Sequence, residues 1–153
     1  MTDDLPRPAA EISQQSLDET AAAILAEDFE TFNSHFLLPH RIRTFKGARM
    51  IESLDQMEVT FRSLCHAYKL DGVTDIVRNC IEAAYKGADT VEATHMTHLM
   101  NGLQRVIEPF PCFSVLKRDS DGRWKVARSD YAIPADTRHS RVLDGAGTPY
   151  TVQ

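Results

Sequence analysis

The chain has 153 residues, a net charge of -5 and 42% hydrophobic residues. That is enough for one domain with a real core, burying roughly 70% of the unfolded surface. The acidic balance and scattered basic residues exclude a phosphate-neutralising stripe and so argue against nucleic-acid binding. No apolar run approaches the ~20 residues of a membrane span. The N-terminus carries neither a basic nor an apolar leader region. Cys65, Cys80 and Cys112 are odd in number and form no Cys-x-x-Cys pair. They read as reduced thiols of a cytoplasmic protein.

Residues 1–15 are expected to be a flexible arm. A helix is predicted from about Ser16 to His35, with Ser16 as N-cap and Glu19 completing a capping box. Its apolar arc includes Leu17, Ala21, Ile24, Leu25, Phe29, Phe32 and Phe36. Asp28 falls inside that arc. A short strand follows over His40–Lys46 and is broken by Gly47. A second helix is predicted from Ser53, with Gln56 at the capping-box position and Gly72 as its stop.

The long hairpin from Thr74 to Asn101 turns at Gly87-Ala88-Asp89. A three-residue loop pairs Lys86 with Thr90 and keeps the charges on one face. With continuous alternation, the inner row then holds Val77, Ile81, Ala83, Tyr85, Val91, Ala93 and Leu99. Asn79, His95 and Thr97 share it. His98 points to the opposite face from His95, which argues against a shared metal ion. Residues 103–111 form a connection or irregular strand. A second hairpin turns at Asp119-Ser120-Asp121-Gly122. If its last strand alternates cleanly, Arg128 and Asp130 share a face with Trp124 and Val126. Residues 134–153 are expected to be a tail, disordered or packed on a partner.

Helices followed by a meander of long strands define an α+β class. The N-terminal helices are expected in the concave face of a strongly curved antiparallel sheet. The open end of such a cone is a natural pocket. This element order resembles the nuclear-transport-factor-2-like superfamily over residues 16–133. Its members include polyketide cyclase-like, ketosteroid isomerase-like and scytalone dehydratase-like proteins. Asp121-Gly122-Arg123-Trp124-Lys125-Val126 resembles the Asp-Gly-x-Trp-x-(Ile/Val) segment near the end of such domains. The resemblance implies the cystatin-like cone and a homodimer paired through the convex sheet face.

His95 is the leading catalytic candidate, because an imidazole near neutral pKa can move a proton. The alternative is a neutral core histidine satisfied by a hydrogen bond. Asp28 is its expected partner, and Asn79, Thr97, Tyr85 and Phe32 are the expected ligand contacts. The ligand is expected to be a small hydrophobic or carbonyl-bearing molecule, with no cofactor. A cofactor-free isomerase, cyclase or dehydratase fits this set. A non-catalytic binder, or a dimerisation or partner-binding module with a filled core, fits it as well.

Overall fold

The computed structural model describes residues 6–145. Among these, seven strands form one strongly curved sheet that is not closed into a barrel. Helix α1 spans Ala9–Ala26 and α2 spans Phe29–Asn33. The strands β1 (Phe36–Thr44) and β2 (Gly47–Ile51) form a hairpin. Helix α3 spans Leu54–Leu70. The long hairpin is β3 (Asp75–Tyr85) and β4 (Thr90–Asn101), with β5 (Gln104–Arg105) paired to the end of β4. The strands β6 (Phe110–Arg118) and β7 (Trp124–Tyr131) follow, then helix α4 (Arg138–Leu143).

The expected α+β arrangement is present, with one difference. The spatial order is β2-β1-β7-β6-β4-β3, and β1 runs parallel to β7. The sheet is therefore mixed rather than wholly antiparallel. The extended chain at 36–44 lies beside the last strand and leaves β3 as a free edge.

The first predicted helix is two helices. Glu27 adopts a left-handed conformation at φ 55°, which ends α1. Asp28 then caps α2, its carboxylate accepting from the Thr31 amide at 3.2 Å. Ser16 is not an N-cap, because α1 already begins at Ala9. Glu19 instead reaches the His35 ring nitrogen Nε2 at 3.1 Å. Pro39 lies within β1. The second helix begins as expected. The Ser53 hydroxyl accepts from the Gln56 amide, and Gly72 follows the last turn at φ 72°.

The hairpin turn also has the expected register, since the Lys86 amide donates to the Thr90 carbonyl at 2.8 Å. The continuous alternation does not hold. Cys80 pairs with His95, but Glu82 pairs with Thr94, so Ile81 is an extra residue without a cross-strand partner. Such a bulge exchanges the two faces of the strand on one side of it. Before the bulge, Ile76, Arg78 and Cys80 face inward; after it, Ala83 and Tyr85 do. Val77, Asn79 and Ile81 face outward and are exposed.

A second bulge lies in β7. Val115 pairs with Arg128 while Leu116 pairs with Val126, which leaves Ala127 unpaired. Trp124 and Val126 therefore do not share a face with Arg128 and Asp130. Arg128 and Asp130 form an ion pair at 3.1 Å on the outer face.

Helix α1 lies against β3 and covers its free edge. The Gln14 side chain donates to the Arg78 carbonyl at 2.7 Å and accepts from the Cys80 amide at 2.8 Å. One amide side chain thus pairs an edge donor and an edge acceptor that the sheet leaves unused. At the other end, α4 packs on α3 and β1 and buries His139, Ser140, Val142 and Leu143. Residues 134–145 are thus part of the packed fold. The rest of the predicted tail, 146–153, lies outside the described residues.

Candidate functional site

The cone holds a partly open cavity of about 60 Å³. Its lower wall is apolar: Ile24 of α1, Phe32 of α2, and Met57, Phe61 and Leu64 of α3 contribute. The sheet contributes a polar band made of Arg78, His95, Thr97 and Tyr131. His139 and Leu143 of α4 close the wall, together with Tyr68. Among the described residues no carboxylate lines this cavity.

Three of the six residues expected at the site are on the cavity wall: His95, Thr97 and Phe32. The other three are not. Asp28 is exposed and occupied as the cap of α2, where its hydrogen bonds to Thr31 hold its carboxyl below the usual range. Asn79 was expected inward, and the bulge at Ile81 turns it to solvent. Tyr85 faces inward but lies beyond the cavity, edge-on to Trp124, with its hydroxyl donating to the Arg7 carbonyl at 2.5 Å. The expected Asp28–His95 pair is therefore not assembled. His98 lies on the outer face beside Val77, away from His95.

Continuous alternation along β3 would send Arg78 outward with Glu82; the bulge at Ile81 turns it inward. Its Nη2 donates to the Leu17 carbonyl at 2.6 Å and to the Thr20 hydroxyl. Its Nε is buried without a partner. No carboxylate lies within ion-pair distance of it among the described residues. Burial lowers its pKa, opposed weakly by Tyr68, Tyr131, Cys112 and, last, Asp18. An arginine nonetheless keeps its charge in proteins, so a part-buried cation without a carboxylate partner among the described residues stands at the cavity wall.

The groups around that cation are held neutral. His95 is 4% exposed, and its Nδ1 has no hydrogen-bond partner. Burial, then the charge of Arg78, pushes it down to about 3. His139 is pushed down to about 3 by burial and then Arg78; its Nδ1 is 3.1 Å from the Tyr68 hydroxyl. His40 is pushed down to about 4 by burial, although its Nδ1 meets the Val126 carbonyl at 3.3 Å. Burial raises Tyr131 to about 12 and Cys112 to about 12. The site thus offers one permanent cation, neutral imidazoles and neutral phenols. It can hold polar groups by charge and hydrogen bonding. An imidazole pushed to about 3 is a weak base at neutral pH.

No protein-family model matches the chain, and no curated protein matches it. Solved structures do match. An NTF-2 like protein of unknown function from Shewanella oneidensis superimposes with a TM-score of 0.60 at 10% identity, covering 80% of this chain and 98% of that one. A ketosteroid isomerase-like protein from Erwinia carotovora atroseptica gives 0.56 at 15% identity, covering 82% and 97%. A domain of unknown function with a cystatin-like fold from Nostoc punctiforme gives 0.63 at 12% identity, covering 92% and 86%. The chain therefore has the nuclear-transport-factor-2-like, cystatin-like fold that its element order resembles. At these identities the likeness is one of fold.

The buried histidines make stability depend on pH with a definite sign. A free histidine titrates near 6.5. Below that value the unfolded chain takes up protons that folded His40, His95 and His139 refuse until about pH 4 or 3. Stability is therefore lost as pH falls through this window, by about 1.4 kcal/mol per pH unit for each histidine. Urea midpoints are expected to drop steeply between about pH 7 and pH 5. Equal midpoints at the two pH values would contradict the neutral, buried state of these rings.

Proposed function

We propose that this protein holds a small molecule inside its cone and binds it without an aspartate–histidine proton transfer. The observation that carries this reading is that His95, whose Nδ1 is buried without a partner, lines a partly open cavity. A buried polar nitrogen left without a partner costs about 1–3 kcal/mol. A ligand or ordered water that hydrogen-bonds to it removes that cost. The cavity of about 60 Å³ is room for roughly two waters at ~30 Å³ each, or for a ligand of a few heavy atoms. His95 and Thr97 are the proposed polar contacts and Phe32 an apolar one. A cofactor-free isomerase, cyclase or dehydratase would need a base of suitable strength on the wall. The absence of a wall carboxylate among the described residues and the low basicity of His95 favour binding over catalysis.

A second copy of the chain is the proposed partner, across the convex face of the sheet. The bulge at Ile81 places Val77 (39% exposed) and Ile81 (60% exposed) on that face, and Phe45 is 70% exposed. Exposed apolar side chains on a sheet face are a recurrent basis for symmetric pairing. The free thiols Cys65, Cys80 and Cys112 support a reducing, cytoplasmic setting. Among the described residues, no helix is long and apolar enough to cross a membrane.

Two measurements test these readings. Replacing His95 with Leu removes the unpartnered nitrogen, so the empty protein should become more stable by about 1 kcal/mol and lose ligand binding. A loss of stability of similar or larger size would instead make His95 a satisfied structural group. Light scattering at micromolar concentration should give twice the 17.2 kDa chain mass. A monomer mass would remove the dimer.

A further inference from the structure

We infer that the ligand of this cavity is a small monoanion, a carboxylate on an apolar body, and that Arg78 is the group that recognises it. This rests on the reading of the cone as a ligand pocket and adds the chemical class of the ligand.

Four observations carry it. Arg78 reaches the cavity wall; among the described residues its side-chain hydrogen bonds are made by Nη2, and Nε is buried and unpartnered. The wall holds no carboxylate among the described residues, so nothing there balances the charge. The weak acids whose charge would act on Arg78 are phenols and a thiol, Tyr68, Tyr131 and Cys112, which burial keeps protonated. Finally, the neighbouring His95 also presents an unpartnered nitrogen. As a neutral imidazole it can offer an N–H to an anion as well as accept from a donor.

Burying one member of an ion pair without the other is strongly unfavourable. Nη2 already donates to Leu17 and Thr20, so the unpartnered Nε–H is the donor left for a carboxylate, a single charge-assisted hydrogen bond. A phosphate fits less well, because a dianion would keep one charge unbalanced beside a single cation. The remaining wall, Ile24, Phe32, Phe61 and Leu64, is apolar and suits a hydrocarbon body. The volume of about 60 Å³ sets the body small unless α4, which contributes His139 and Leu143, gives way.

The test compares matched pairs that differ in charge but hardly in shape: acetate with acetamide, propionate with propionamide, and benzoate with benzamide. Binding to the full chain is followed by amide and methyl NMR shifts at constant ionic strength. Carboxylates should bind at least tenfold more tightly than their amides, with shifts centred on Arg78, His95 and Thr97. In Arg78→Met the preference should fall to within about twofold. Equal affinity of carboxylate and amide for the unmodified protein overturns the anion assignment and leaves the pocket reading standing. Binding of neither class at these residues overturns both. Should Arg78→Met fail to fold, the comparison on the unmodified chain decides alone. Arg78→Lys, which keeps the charge but loses the Nε–H donor, should retain a reduced preference.

Discussion

One inserted residue, Ile81, sets the geometry of this molecule. It divides β3 into two registers and turns Arg78 from the outer face to the inner one. The consequences run outward from there. Arg78 reaches α1 through the Leu17 carbonyl and the Thr20 hydroxyl, while Gln14 of α1 pairs with the strand edge on both sides of residue 79. The helix is thereby fixed across the free edge of the sheet. A bulge also bends its strand and strengthens local twist. With the second bulge at Ala127, the sheet curves enough to leave enclosed space beneath α3.

The same cation organises the electrostatics of that space. Its charge lowers the basicity of His95 and His139 beyond the effect of burial. In a low-dielectric interior such an effect is stronger than in water. Tyr68, Tyr131 and Cys112 remain protonated because burial outweighs the attraction of Arg78. The result is a core in two parts. Around the N-terminal turn of α1, Ile12 packs with Val91, Leu116 and Val126 in an apolar cluster. Around the cavity, a larger cluster that includes Phe32, Phe61 and Phe110 surrounds the polar band. The first part is a conventional dry core. The second keeps hydrogen-bonding capacity that the protein itself leaves unused, as binding sites do.

What could be read from the sequence was what is determined locally. The Ser53 cap, the stop at Gly72, the loop Gly87-Ala88-Asp89 and the Asp121-Gly122 turn each depend on a few adjacent residues, and each is found where expected. The order of elements was enough to reach the fold. The faces of β3 were not legible, because neither of its rows is cleanly apolar. Val77, Asn79 and Ile81 form one row and Ile76, Arg78 and Cys80 the other, and no glycine marks the bulge. Helix α1 was begun too late because Pro8 caps it without a side-chain hydrogen bond. The break at Glu27 was hidden because a non-glycine residue takes the left-handed conformation there. His139 was missed because its helix is short and its only large apolar residues are Val142 and Leu143. The Thr137 hydroxyl that accepts from the Ser140 amide was its available signal.

The central claim is that Arg78 lies inside the cone. The side-chain Nε–H resonance of Arg78 in a nitrogen-15 NMR spectrum tests it most directly. A buried Arg78 predicts slow exchange with water at this proton and nuclear Overhauser contacts from the Arg78 side chain to Leu17 and Thr20. Rapid exchange like that of surface arginines, together with contacts between the Asn79 side chain and His95, would place Arg78 outside and contradict the account.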